Sequence, residues 1–363
     1  MKKHNFSAGP SILERNVIEQ SSRAALEINN SGLSLLEISH RSQDFISIIE
    51  EAQALTKELL NISEDYEILF LQGGASLQFY MAALNFSKPN GVAGYIDTGT
   101  WSKKAIEESK KIGRTITLAS SVDKKYSYIP KNIANKEKID YLHFTSNNTI
   151  YGTQFHSFQE LSNLANINNA KLICDMSSDI FSKEIDINEF DLVYAGAQKN
   201  LGPAGATLVI IKKDSISENK HLPTYLNYNT HIQKKSMFNT PPVFSIYVAM
   251  LTLRWLKESG GIRSIERKNK EKATLLYNEI ERNPLFFGIV NPEDRSNMNV
   301  TFNLKNIDHK YQFETMCKEG GINGIHGHRS IGGYRASIYN ALSIESVRFL
   351  IQIMKQLEIQ HNE

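Results

Sequence analysis

The chain is poor in cysteine. Cys174 and Cys317 are the only two among 363 residues, and they form no CxxC and no zinc-finger spacing. A dense disulfide framework and a zinc module are therefore excluded, no metal site is expected, and a reducing cytoplasm is the expected compartment. Long hydrophobic runs are missing too. The most apolar extended segment, 244–256, contains Arg254 and is followed by Lys257 and Glu258. It falls short of the ~20 apolar residues that span a bilayer, reads as a buried helix, and predicts no membrane association. Behind Lys2 and Lys3 there is no apolar stretch, so a signal peptide is not expected. Neither charge sign dominates: 41 Lys and Arg against 39 Asp and Glu leave +2, too balanced for sequence-independent attraction to nucleic acid. The glycine pattern matches neither G-x-G-x-x-G nor G-x-x-x-x-G-K-[ST], which removes support for a nucleoside triphosphate site.

What is present is an ordinary globular composition, 41% hydrophobic and 22% charged, over a length that suits about two domains. Helical spacing of apolar residues covers 11–28, 44–60, 76–86 and 101–112. Short apolar runs at 67–71, 92–96, 115–118, 139–145, 171–174, 192–194 and 207–211 read as strands. Several are apolar on both alternations and are separated by helices, as in a mostly parallel sheet covered on both faces. The texture changes across 241–262, where Pro241-Pro242, a helix and Gly260-Gly261 precede a charged helix at about 262–283. Beyond it the order is strand (298–303), helix (309–319), strand (335–339) and a last helix from 344, a small α+β domain. The charged run 266–272 mixes both signs and reads as a solvated helix face.

Three loops that follow strands hold polar residues of interest, as expected where ligands meet the carboxyl ends of a parallel sheet. In Gln72-Gly73-Gly74-Ala75-Ser76-Leu77-Gln78 two glycines open a helix whose free N–H groups suit a phosphate. An ordinary strand-to-helix turn capped by Ser76 is the alternative. Asp175 stands just past a buried strand, where a carboxylate needs a cation such as a pyridinium N–H, or else serves as a helix cap. Lys199 ends a further strand among small residues and a Gly-Pro-x-Gly turn, with room for a flat ligand and shielding that lowers its pKa. That is what a Schiff-base lysine requires, the alternative being a side chain reaching out to solvent. Asp175 and Lys199 together are far more specific than either alone.

These residues lie within a wider set of motifs: Asn5-Phe6-Ser7-Ala8-Gly9-Pro10, Ile38-Ser39-His40-Arg41-Ser42, Thr98-Gly99-Thr100-Trp101-Ser102, Ser146-Asn147-Asn148-Thr149-Ile150, the stretch 195–203, Asn239-Thr240-Pro241-Pro242, and Gly327-His328-Arg329 with Arg335-Ala336-Ser337. In this order they resemble, nearly end to end, the phosphoserine aminotransferase family within the class V group of pyridoxal-phosphate enzymes. The resemblance implies the fold-type-I architecture: an α/β large domain (16–258) with a mostly parallel seven-stranded sheet, a smaller α+β domain (259–363), and an N-terminal arm (1–15) packed on the latter. It implies pyridoxal 5'-phosphate bound through Lys199, which also moves the proton at Cα, with Asp175 holding the ring nitrogen protonated. Trp101 would stack on the ring, Thr149 would bond its 3-hydroxyl oxygen, and Ala75, Ser76 and Gln198 would hold the phosphate. Asn239 and Thr240 would reach the cofactor phosphate of a second subunit, which implies a homodimer with shared sites. Ser7, His40, Arg41, His328, Arg329 and Arg335 would bind substrate, the two His-Arg pairs taking its distal anion and Arg335 its α-carboxylate.

Transamination between 3-phosphoserine and 2-oxoglutarate is the implied reaction, with 4-phosphohydroxythreonine as a second substrate. Few positions depart from the family's wording. Asn148 stands where many members have Glu, Leu342 and Ser343 replace a proline-containing turn, and Ala75-Ser76 stand where some carry arginine. Other class V chemistries are the nearest rivals. A cysteine desulfurase needs a thiolate on a mobile loop, which neither Cys174 nor Cys317 resembles. A glyoxylate aminotransferase needs no paired His-Arg motifs. A ligand-responsive regulator on the same scaffold would carry a DNA-binding domain, for which no residues are spare.

Overall fold

A computed structural model describes residues 3–135, 137–216 and 221–361. The chain opens with a short strand, β1 (His4–Asn5), and the helices α1 (Arg15–Leu26) and α2 (Gln43–Leu60). In α2 the residues Phe45, Ile48, Ile49, Ala52 and Leu55 recur at helical spacing and are buried. Ser42 caps its start by accepting from the Phe45 N–H, and Asn61 closes it in the left-handed conformation. There follow β2 (Tyr66–Leu71), α3 (Gly74–Phe86), β3 (Val92–Asp97), α4 (Thr100–Lys110), β4 (Arg114–Ser120), β5 (Tyr141–Thr145), α5 (Gln159–Asn168), β6 (Lys171–Asp175), β7 (Leu192–Gly196) and β8 (Thr207–Lys212).

Those seven strands from β2 to β8 form one sheet in the order β2-β8-β7-β6-β5-β3-β4. All neighbours are parallel except β8, which runs antiparallel to both β2 and β7. Both faces are covered. One carries the side chains of α1, α2, α5 and α7 (Val243–Glu258). The other holds Phe79, Met81, Tyr95, Tyr141, Tyr194 and Tyr228 beneath α3, α4 and the short α6 (Tyr228–Gln233). This two-sided burial is why the strands read as continuous apolar runs. Their seven positions agree with the sequence expectation to within a few residues.

A separate apolar cluster gathers Ala273, Leu276 and Ile280 of α8 (Gly261–Arg282) with Phe286 of β9 (Phe286–Gly288), Val300 and Phe302 of β10 (Asn299–Leu304) and Phe313 of α9 (Lys310–Glu319). Ile322 of β11 (Ile322–Asn323), Ala336 of β12 (Tyr334–Ser337) and Leu350 of α10 (Ile344–His361) complete it. β12, β10 and β9 form an antiparallel sheet, and β1 pairs in parallel with β11. Phe6 belongs to this cluster, and the Tyr339 hydroxyl donates to the Ala8 carbonyl at 2.7 Å.

The charged run 266–272 departs from the expected solvated face. Asn269 and Lys272 are buried, and the Lys272 ammonium donates to the carbonyls of Ile338 (2.8 Å), Tyr339 (2.6 Å) and Leu342 (3.1 Å). Charge pattern along a helix does not report where a distant loop will fold over it. Among the described residues no helix is long and apolar enough to cross a membrane, and no group of three or more potential ligands could hold a metal.

Candidate active site

At the carboxyl ends of β5, β6 and β7 lies a cavity of about 350 Å3. Ala75, Ser76, Trp101, Thr149, Asp175, Gln198, Lys199, His328 and Arg335 line it together with Ala8, Gly9, Gly74, Phe79, Ile150 and Ser177. Nine of the residues singled out in the sequence therefore meet around one space, drawn from seven separate segments of the chain.

Asp175 ends β6 and is 4% exposed. The backbone N–H of Ser177 (2.9 Å) and its hydroxyl (2.5 Å) both donate to Oδ1, and among the described residues Oδ2 has no donor. Burial raises the carboxyl above its ordinary pKa, while the Lys199 charge and the Ser177 bonds pull the other way. Lys199 follows β7 in a turn closed by the Gly202 N–H on the Ala197 carbonyl, 2.7 Å. Desolvation by the cavity walls lowers its ammonium below the ordinary lysine value, opposed by the negative charges of Asp175 and Asp179. An amine held this way is nearer its nucleophilic form at neutral pH.

Trp101 sits in the first turn of α4, with the Lys199 Nζ 5.6 Å from the centre of its ring. The turn before it is fixed by Ser102, whose Oγ accepts from the N–H groups of Thr98 and Gly99 at 3.0 Å. Gly99 has a φ of 155°, and a Cβ there would press on Asn148 and Tyr151 at 2.9 Å, so glycine is required. The Trp101 indole N–H donates to Thr149 Oγ1 at 2.9 Å, which leaves the threonine hydroxyl proton free to donate into the cavity. Asn148, the departure next to it, is buried and braces Thr98 and Thr153 without reaching the cavity.

The helix α3 begins at Gly73, whose φ of 88° and contact with Leu77 exclude a side chain. No side chain caps this helix, so its first N–H groups face outward over Ala75 and Ser76. On the opposite wall Arg335 donates from Nη1 to the Thr149 carbonyl at 2.8 Å, while its buried Nε has no partner. His328 Nδ1 accepts from the Ser330 N–H (3.2 Å) and lies 2.6 Å from its hydroxyl, which places the ring proton on Nε2. Its pKa is lowered by burial and by the charges of Arg335, Arg329 and Lys104.

The remaining candidates stand outside this cavity. Arg41, Arg329, Asn239 and Thr240 are exposed, and His40 is half-buried in the loop before α2. Ser7 packs on Gly324, and the Thr240 carbonyl accepts from Gln72 Nε2 at 2.8 Å beside the start of α3. Sequence reasoning missed Ser177 and Gly9. Ser177 was legible, since a serine two residues after a strand-end aspartate is placed to bond back to it. Gly9 was not, because only the arm's path across Gln198 and Lys199 brings it there.

The model of the aminotransferase class-V family matches residues 3–350. The chain belongs to that family and, within it, to the phosphoserine aminotransferases. It is 55% identical over 360 residues to the phosphoserine aminotransferase of Flavobacterium psychrophilum, covering 99% of each chain. The structure matches the phosphoserine aminotransferase of Bacillus circulans subsp. alkalophilus with a TM-score of 0.94 at 42% identity, covering 99% of both chains. A crystal structure of the Trichomonas vaginalis phosphoserine aminotransferase with PLP bound matches with a TM-score of 0.90 at 34% identity, covering 98% of this chain and 100% of that one.

Proposed function

We propose that the chain transfers the amino group of 3-phosphoserine to 2-oxoglutarate reversibly, giving 3-phosphooxypyruvate and glutamate, with pyridoxal 5'-phosphate as cofactor. The residues present fit that group. An amine of lowered pKa stands beside an indole face, a buried carboxylate keeps one oxygen free, and an uncapped helix start offers N–H groups to a phosphate. Pyridoxal phosphate supplies an aldehyde for the amine and a ring that withdraws electrons from the substrate's Cα. The chain does the rest. Lys199 Nζ holds the group and then takes the proton from substrate Cα and returns it. Asp175 Oδ2 would meet the ring nitrogen and Trp101 would pack on the ring. Thr149 Oγ1 would donate to the ring oxygen, and Ala75, Ser76 and Gln198 would hold the phosphate.

Arg335, which lines the cavity, would take the substrate α-carboxylate on its guanidinium. His328 lines the cavity with its Nε2–H, and Arg329 follows it in the chain. His40, Arg41, Asn239 and Thr240 serve the site of a second copy of the chain, which makes the working form a homodimer. The same cationic groups suit 4-phosphohydroxythreonine. We also propose the division into an arm (1–15), a large domain (16–258) and a small domain (259–363), and a cytoplasmic setting, to which two free buried thiols are suited.

One observation carries the reading: Lys199 and Asp175 share a cavity with Arg335, which among the described residues pairs with no carboxylate. The test is direct. Purified protein with pyridoxal phosphate should show a visible absorbance band that shifts on adding phosphoserine, with glutamate formed when 2-oxoglutarate follows. A band that ignores phosphoserine but answers alanine would overturn the substrate assignment.

A further inference from the structure

Beside Trp101, which lines the cavity, stands one more cation than the motifs account for. Lys104 lies one helical turn after Trp101 on α4, so both project from the same face. Its Nζ stands 5.1 Å from the centre of the Trp101 ring, within reach of a cation–π contact. Trp101 and His328 both line the cavity. Among the described residues neither Lys104, Arg329 nor Arg335 is within ion-pair distance of a carboxylate. Of the two acids of α4 within a turn of Lys104, Glu108 is taken by Lys111, and Glu107 is exposed and not within ion-pair distance of Lys104. Like charges gathered without a counter-ion destabilise the empty protein and favour a ligand carrying more than one negative charge. The only carboxylate lining the space, Asp175, sits at its floor and is engaged by Ser177.

We infer that Lys104 is a specificity-determining residue whose ammonium meets the distal dianion of the substrate beside His328 and Arg329. This rests on the proposed function, since it assigns a further contact to the same phosphorylated substrate. Three features set its role apart from that of the arginines. The flexible stem lets the ammonium leave the indole face for the phosphate without disturbing the helix. Its exposure lets it attract the ligand before the pocket closes around it. Its charge also joins burial and the charges of Arg335 and Arg329 in lowering the His328 pKa.

The experiment compares the pyridoxal-phosphate-loaded wild type with Lys104→Met and Lys104→Arg, using phosphoserine, glutamate and alanine as amino donors. Lys104→Met should lower kcat/KM for phosphoserine about tenfold more than for alanine, chiefly through KM, as expected for one charge-assisted contact at a partly exposed site. Its kcat/KM for phosphoserine should also depend less steeply on ionic strength. Lys104→Arg should restore most of the loss. Inorganic phosphate should inhibit the Met variant more weakly than the wild type. An equal loss for phosphoserine and alanine, accompanied by a changed cofactor absorbance band, would show that Lys104 only holds Trp101 and would overturn the inference. So would no loss at all. A wild type that fails to prefer phosphoserine over alanine would instead overturn the functional reading on which the inference stands.

Discussion

Burial is the leading cause of the shifts at both Lys199 and Asp175: it lowers the amine, which suits a nucleophile, and raises the carboxyl, which the Lys199 charge and the Ser177 bonds oppose. Lys199→Ala should abolish the visible band of the loaded protein and cut turnover by roughly 10²–10⁴-fold, the usual contribution of a positioned acid–base group. Borohydride reduction followed by peptide mapping checks the assignment; label on any other lysine contradicts it. Asp175 must be ionised to hold a pyridinium, so kcat should fall as pH drops through its pKa. Ser177 donates twice to that carboxylate and favours its charged form. In Ser177→Ala one of those donors is gone, the folded-state pKa rises further, and the acid limb of the kcat–pH profile moves to higher pH. An unmoved limb would mean that a different group sets it. Asp175→Asn should retain cofactor yet lose roughly 10²-fold in kcat, comparable to removing one preorganised electrostatic partner.

Among the elements, α8 shows how a buried cation organises distant chain. Lys272 holds three carbonyls of the segment 338–342. The same segment carries Tyr339, bonded to Ala8, and Asn340, whose N–H donates to Asn200 next to Lys199 (3.2 Å). Burial lowers Lys272 to about 7, and the charge of Lys268 adds to the drop. Between that value and the ordinary lysine value the unfolded chain binds a proton that the folded chain lacks, so this residue makes stability rise with pH across the window. Lys272→Met should flatten that rise and destabilise the fold by about 1–3 kcal/mol at neutral pH as buried carbonyls lose their donor. Urea titrations at several pH values read both effects, and a slope unchanged in the variant would assign the pH dependence elsewhere.

None of this was visible in the sequence, where Lys272 closes a run of mixed charge and its carbonyl partners lie far along the chain. The strands were legible because two-sided burial writes a continuous apolar run. Lys199 and Asp175 were legible because a lone lysine among small residues and an acid past a buried strand are unusual at strand ends. Trp101 and Thr149 were recognised only through the family motifs, since nothing local distinguishes them from core residues. Their 2.9 Å bond is made by two loops that the fold alone brings together.

At the scale of the whole molecule, four of the residues singled out in the sequence stand apart from the cavity. His40, Arg41, Asn239 and Thr240 carry functional chemistry by the family resemblance, yet none of them lines the cavity of the chain that bears it. Large apolar side chains are exposed nearby in sequence: Leu33 at 49%, Leu36 at 67% and Phe238 at 39%. Residues of this kind lose apolar surface to water when a second copy covers them. If the working form is a homodimer with exchanged residues, two differently damaged chains should complement one another. A Lys199→Ala chain retains intact Asn239 and Thr240 to donate. An Asn239→Ala, Thr240→Ala chain retains an intact lysine. Each homodimer should be inactive or nearly so, whereas subunits exchanged under mild denaturant and recovered as heterodimers should regain a fraction of wild-type turnover, because one of the two sites then has every group it needs. Sedimentation at catalytic concentration supplies the second reading. A monomer that retains full activity would place His40, Arg41, Asn239 and Thr240 outside the chemistry altogether, and the cavity of the single chain would then have to bind cofactor and substrate with the residues that already line it.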